Sequence, residues 1–177
     1  MIMRVLLAGG GSGGSSAPVL AVAQELRRRR PCDFLYVGTS GGPERRLVEQ
    51  LGIPFRAVQT GKLRRYWSVH NLIDLFRLPL GLAESLALAA GFRPHVAFAA
   101  GGFAAVPPLL AASLLRVPVV IHQQDVEPGL ANRILAPFAA GITVAFPPSR
   151  DHFPASRAKV TGNPVRMEIL TGRREQG

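Results

Sequence analysis

The sequence predicts an α/β domain built on a doubly wound parallel sheet. Three observations carry that prediction. Short apolar runs alternate with stretches of helical spacing along the chain, the order of a parallel sheet with crossover helices. The runs are continuous rather than alternating, as in Val5-Leu6-Leu7-Ala8 and Phe34-Leu35-Tyr36-Val37, which marks strands buried on both faces. Glycine-rich and polar pieces follow the first, fourth and fifth runs, where the loops of such a sheet converge on a crevice.

Taken in order, residues 3–8 are the first strand and lead into Gly9-Gly10-Gly11-Ser12-Gly13-Gly14-Ser15-Ser16-Ala17-Pro18. A helix is expected from Pro18, with Ser15 or Ser16 as its cap, because proline suits a first turn and a serine oxygen accepts from an orphan N–H. Val19, Val22, Ala23 and Leu26 share one face of it. Arg27 to Arg30 close it as a solvated cationic end, and Pro31 stops it. Residues 34–37 form a second strand, 43–51 a short helix and 54–59 a third strand, followed by a basic loop at 62–66. Residues 68–90 have helical spacing and are apolar almost all round, with Pro79 and Gly81 expected to kink or split the helix.

Residues 94–115 carry no Lys, Arg, Asp or Glu and are long enough for a membrane span. Gly101-Gly102 and Pro107-Pro108 would break such a helix twice, so a strand at 96–99, a glycine turn and a buried helix are expected instead. Residues 117–121 are a fifth strand, ending at His122-Gln123-Gln124-Asp125; 130–138 are helical, 141–145 a sixth strand and 158–160 a last extended piece.

The 177 residues fit one domain, and 47% hydrophobic content is that of a globular chain. A lone Cys32 excludes an internal disulfide, and the first residues lack a signal-peptide layout. A net charge of +10 suits phosphate-bearing ligands or anionic lipid heads; aromatic residues are too sparsely interleaved with basic ones for a nucleic-acid partner.

Strand, glycine loop and helix together form an arrangement that holds an anion on backbone N–H groups. Gly9, Gly11 and Gly14 match a dinucleotide spacing, yet the second strand ends in Val37-Gly38-Thr39-Ser40, without the acid that holds a ribose. The Gly-Lys-Ser/Thr of a nucleotide-hydrolysing loop is missing too. A tight turn with no ligand is the competing reading of this loop, and close helix–sheet packing that of Gly101-Gly102. His122 reads as a crevice group or a half-buried structural histidine, Asp125 as a crevice carboxylate or a helix cap, and Asn132 as a loop brace. No spacing suggests metal ligands, and no Gly-x-Ser-x-Gly elbow is present.

Jointly, four segments resemble the MurG family of peptidoglycan glycosyltransferases, in that family's order and over essentially the whole chain. They are Gly10-Gly11-Ser12-Gly13-Gly14 with Pro18 and Leu20-Ala21-Val22-Ala23; Gly101-Gly102-Phe103; His122-Gln123-Gln124-Asp125 with Gly129-Leu130-Ala131-Asn132-Arg133; and Gly162-Asn163-Pro164-Val165-Arg166. The resemblance implies an inverting GT-B enzyme with two Rossmann-like domains around a cleft. It would move GlcNAc from UDP-GlcNAc to lipid I, making lipid II, without a cofactor or bound metal. Residues 1–166 would be the N-terminal, acceptor-binding domain and 167–177 the start of the interdomain linker, the donor-binding domain having no counterpart here. The chain is then either an excised domain or a natural half completed by a second chain.

By position, the resemblance implies that Ser12, Gly13 and Gly14 line the cleft at the glycosyl and diphosphate groups. Ser15, Asp125 and Asn132 would contact substrate, Arg166 would meet the nucleotide diphosphate, and Gly101, Gly102 and Phe103 would cradle the lipid diphosphate. Two positions depart from the family: Ser15 stands where a histidine base is expected, and Gln123 replaces a glutamate. A serine hydroxyl does not take a proton near neutral pH as imidazole does. Asp125 and His122 are therefore the candidate bases, or the domain is impaired in catalysis. Lys62, Arg64 and Arg65 beside Trp67, Leu72, Phe76 and Leu80 would dock on the anionic cytoplasmic face of the cell membrane, a core helix being the other reading. A non-catalytic anchor that recruits a donor-binding chain, or a GT-B transferase with another glycolipid acceptor, are the alternative functions.

Overall fold

The computed structural model describes residues 2–10, 13–60 and 69–165, with side chains omitted over 69–77. Its strands are β1 (Met3–Ala8), β2 (Cys32–Gly38), β3 (Phe55–Ala57), β4 (Val96–Ala99), β5 (Val119–Gln123), β6 (Gly141–Val144) and β7 (Ala158–Val160). The helices are α1 (Gly13–Arg29), α2 (Glu44–Gln50), α3 (Val69–Phe92), α4 (Val106–Leu114) and α5 (Leu130–Leu135). The strands form one seven-stranded sheet in the order β3-β2-β1-β4-β5-β6-β7, every pairing parallel. The chain leaves β1 toward one edge and returns to its other side at β4, so the switch point lies between β1 and β4. The doubly wound architecture is as expected.

The continuous apolar runs follow from two cores. Val5 and Leu7 face Val19, Leu20 and Ala23 of α1 and Val48 of α2. Leu6 and Ala8, one residue out of phase, face Ala89 of α3, Val106, Leu109 and Ala112 of α4, and Leu135 of α5. The inner strands β1 and β4 thus bury both sets of side chains, whereas the edge strands β3 and β7 are exposed at two of their three residues.

Several element boundaries differ from expectation. Helix α1 starts at Gly13, before Pro18, so Ser15 and Ser16 are buried helical residues and not caps. Ser16 Oγ accepts a hydrogen bond from the Tyr36 hydroxyl at 3.0 Å, which ties this first turn to β2. Helix α3 runs unbroken across Pro79 and Gly81. At Gly81 a Cβ would overlap the carbonyl oxygen of Gln59, so the glycine lets α3 lie directly on the chain leaving β3. Strand β5 extends through His122 and Gln123, because both side chains find buried partners. Residues 94–115 fold as β4, a 3-10 turn at Phe103–Ala105 and α4, and no helix among the described residues is long and apolar enough to cross a membrane. In the arginine run, Arg28 and Arg29 pair with Glu25 on the exposed surface, at 2.7 and 2.6 Å. The basic loop at 62–66 and the tail from 166 lie outside the described residues.

Candidate functional site

The loops that leave β1, β4 and β5 enclose a cleft of about 280 Å³ at the switch point. Gly14 and Ser15 line it from α1, Ala100, Gly101 and Gly102 from the end of β4, Gln123, Gln124 and Asp125 from β5, and Gly129, Ala131 and Asn132 from α5. Gly101 and Gly102 have φ of 87° and 84°, a left-handed pair that turns the chain sharply from strand to 3-10 turn. A Cβ on Gly102 would stand 2.7 Å from the Gly10 carbonyl oxygen and 2.9 Å from Ser15 Oγ. The β1 and β4 loops therefore meet backbone to backbone, and only glycine permits it.

Beneath the cleft lies a chain of amides. Gln123 Nε2 donates to the carbonyls of Asp125 and Glu127, at 2.9 Å each. Asn132 Nδ2 donates to Gln123 Oε1 at 2.7 Å and to the His122 carbonyl at 3.0 Å. Gln124 Nε2 donates to the Ala100 carbonyl at 2.7 Å, joining the ends of β4 and β5. A glutamate at position 123 would have no hydrogen for either loop carbonyl, so the amide suits this loop where a carboxylate would not. The Asp125 carbonyl also accepts from Ser149 Oγ at 3.0 Å. With its backbone held by two donors, Asp125 presents an exposed side chain at the cleft.

His122 lies outside the cleft lining. It is 1% exposed, and its ring nitrogens face Thr143 Oγ1 at 2.8 Å and Asn163 Oδ1 at 2.9 Å. Burial lowers its pKa from the ordinary 6.5, against the raising effect of the Asn163 bond. In the neutral ring Nε2–H donates to Asn163 and Nδ1 accepts from Thr143, so both nitrogens are engaged away from the cleft.

The structure thus brings together Gly14, Ser15, Gly101, Gly102, Asp125 and Asn132 from the sequence-predicted set. Gly13 is the first residue of α1. Phe103 opens the 3-10 turn, half-buried and outside the lining. Ser12, Arg166, Lys62, Arg64, Arg65 and Trp67 lie outside the described residues; Leu72 and Phe76 lie on α3 where only the backbone is described, and Leu80 is 53% exposed.

Sequence reasoning missed Glu44. This carboxylate, wholly buried, accepts from Thr39 N at 3.3 Å and Thr39 Oγ1 at 2.9 Å, and it lies against Gly10 and Gly42. An acid does therefore return to the end of β2, from the first turn of α2, but it is turned inward to the loop backbone. The only available signal was a glutamate two residues after Gly42, which also reads as an ordinary first-turn helix residue.

Comparison with known proteins agrees with this geometry. The model of the glycosyltransferase family 28 N-terminal domain matches residues 5–144. A UDP-N-acetylglucosamine--N-acetylmuramyl-(pentapeptide) pyrophosphoryl-undecaprenol N-acetylglucosamine transferase of Desulforudis audaxviator is 46% identical over 176 residues, covering 98% of this chain and 47% of that protein. Its counterpart in Treponema pallidum is 43% identical, over 97% of this chain and 46% of its own length. The crystal structure of Acinetobacter baumannii MurG superimposes with a TM-score of 0.76 at 28% identity, covering 99% of this chain and 47% of that one. The chain spans about half the length of the curated relatives it matches. With the parallel sheet, the switch-point cleft and a family match over most of its length, the chain belongs to the glycosyltransferase family 28 N-terminal domain family.

Proposed function

We propose that this chain is the acceptor-side domain, over residues 1–166, of a transferase that moves GlcNAc from UDP-GlcNAc onto lipid I, making lipid II for peptidoglycan. The observation that carries the reading is the convergence of two glycine turns and the Asp125 carboxylate on one cleft. The activity for which relatives 46% and 43% identical are named supports the substrates. In this account UDP-GlcNAc is held mainly by a donor-binding half beyond residues 167–177, with Ser12, Gly13, Gly14 and Arg166 reaching it from this side.

Asp125 is the proposed general base. It takes the proton of the acceptor hydroxyl as that oxygen attacks the anomeric carbon of GlcNAc and UDP leaves with the bonding pair. The inverted product follows from a single displacement. Ser15 binds without titrating, and His122 supports β5 from below. Lys62, Arg64, Arg65 and Trp67, with Leu72, Phe76 and Leu80 on α3, are proposed to seat the domain on the anionic cytoplasmic face of the cell membrane, where a lipid-linked acceptor resides. No metal or cofactor enters this scheme.

One observation favours a second reading, a non-catalytic half that docks a separate donor-binding chain: Ser15 stands buried at the cleft, where a histidine was expected. Incubating the full-length protein with UDP-GlcNAc and lipid I separates the two. Lipid II is the expected product; folded protein that forms none overturns the transferase reading.

A further inference from the structure

The pole of the sheet opposite the cleft, where the strands begin, carries a surface that the transfer chemistry does not use. Among the described residues only two besides glycine have a left-handed backbone, Arg93 with φ of 52° and Arg116 with φ of 60°. Arg93 follows the last residue of α3, and Arg116 lies two residues beyond α4. Each donates its backbone N–H to the helix it ends, to the Ala89 carbonyl at 2.8 Å and the Ser113 carbonyl at 2.9 Å. Glycine is the residue such helix ends favour, and an arginine there holds strain. An arginine within the last turn, at ordinary φ, would serve the helix dipole equally. Both residues are exposed, and neither has a carboxylate partner among the described residues.

Apolar side chains stand beside them. Leu114 is 64% exposed, Leu115 41%, Phe138 52%, and Ile2, just before β1, 52%. The turn that presents Phe138 is held in place, because Arg157 Nη1 donates to the carbonyls of Pro137 and Ala139 at 3.3 and 2.8 Å. Strands β1, β4, β5 and β6 are neighbours in that order. Ile2, Arg93, Leu115 with Arg116, and Phe138 therefore form a row across three strand spacings, about 14 Å. The turns at 93–95, 115–118 and 136–140 contain no Asp or Glu. Exposed apolar residues interleaved with arginines are the composition of a protein interface.

We propose that this pole docks an acidic segment of a partner protein: Arg93 and Arg116 pair with its carboxylates, and Leu114, Leu115 and Phe138 receive its apolar side chains. A second copy of this chain does not suit, since each copy carries a net charge of +10. A bilayer does not suit either. On the acceptor-side reading a lipid-linked substrate enters the cleft, and the six residues of β1 hold this pole about 20 Å away from it. The proposal goes beyond that reading, and its test reads binding rather than transfer.

The test follows the fluorescence anisotropy of a labelled peptide, Glu-Leu-Asp-Phe-Glu-Leu-Asp, titrated with the full-length protein. The double variant Arg93→Gly/Arg116→Gly is expected to bind it at least about tenfold more weakly. It should melt no lower than the wild type, because glycine relieves both strained positions. A purely structural role for the two arginines predicts the reverse, a lower Tm with unchanged binding, and that result overturns the proposal. Arg46→Gln/Arg150→Gln removes the same charge elsewhere on the surface and should leave peptide binding within about twofold. Vesicles of phosphatidylcholine and phosphatidylglycerol should bind the wild type and the pole variant alike. Loss of vesicle binding in the pole variant would make this pole a membrane face and overturn the proposal. Equal peptide binding by all three proteins, or none by the wild type, overturns it as well.

Discussion

His122 Nε2 lies 2.9 Å from Asn163 Oδ1, a hydrogen bond that joins β5 to the segment after β7 across 41 residues. The same ring meets Thr143 of β6 at 2.8 Å, so one buried imidazole couples β5, β6 and the segment that follows β7. This coupling makes the fold sensitive to acid.

Burial holds the His122 pKa below its ordinary value of 6.5, so between the folded and unfolded values the folded state binds fewer protons than the unfolded one. The stability it contributes is complete above 6.5 and is lost as pH falls below that value. Thermal melts from about pH 8 to about pH 5 should show Tm falling in the acid half of the range. His122→Phe should begin lower, by about 1–3 kcal/mol for the orphaned Thr143 and Asn163 groups, and fall less steeply. Parallel slopes for the two proteins would remove His122 as the acid-sensitive group.

Gly102 is irreplaceable on two counts, its φ of 84° and the 2.7 Å approach of a Cβ to Gly10 O. Gly102→Ala should cost at least about 2 kcal/mol in urea unfolding, from backbone strain and the forced separation of the β1 and β4 loops. A loss below about 0.5 kcal/mol, the range of an ordinary surface change, would mean that the loops do not meet as described.

Two glycines of α3 make opposite predictions. Helix propensity alone favours alanine at each by about 1 kcal/mol. At Gly91 a Cβ meets nothing within 4 Å, so Gly91→Ala should stabilise by up to that amount. At Gly81 a Cβ would collide with the Gln59 carbonyl, and Gly81→Ala should destabilise by about 1–3 kcal/mol despite the better propensity. Denaturant midpoints of the two variants should therefore move in opposite directions; movement in the same direction would place α3 away from β3.

Much of this was legible in the sequence. β4 has its expected bounds because an apolar run between Pro94-His95 and Gly101 has only one way to be buried. The cleft residues were legible because glycines and polar groups at the ends of buried strands have few uses besides turning and binding. The start of α1 was not, since glycine is a poor helix former; the Tyr36–Ser16 bond and the packing of Val19 and Leu20 outweigh that local preference. The unbroken α3 hid behind Pro79 for a similar reason: helix breakers were weighed without the neighbouring chain against which Gly81 lies. The role of Gln123 and the inward turn of Glu44 depend on which loop carbonyls and N–H groups arrive beside them, and spacing along the chain does not state that.

The proposed role of Asp125, at a cleft where the β1 and β4 loops meet, is to remove the proton from a lipid-linked acceptor during GlcNAc transfer. The most direct measurement is single-turnover formation of lipid II from UDP-GlcNAc and lipid I by the full-length protein and its Asp125→Ala variant. The wild-type protein should transfer, and the variant should lose about 10²–10⁴ in rate, the range of a general base, with acceptor binding retained. An undiminished rate in Asp125→Ala would contradict that role.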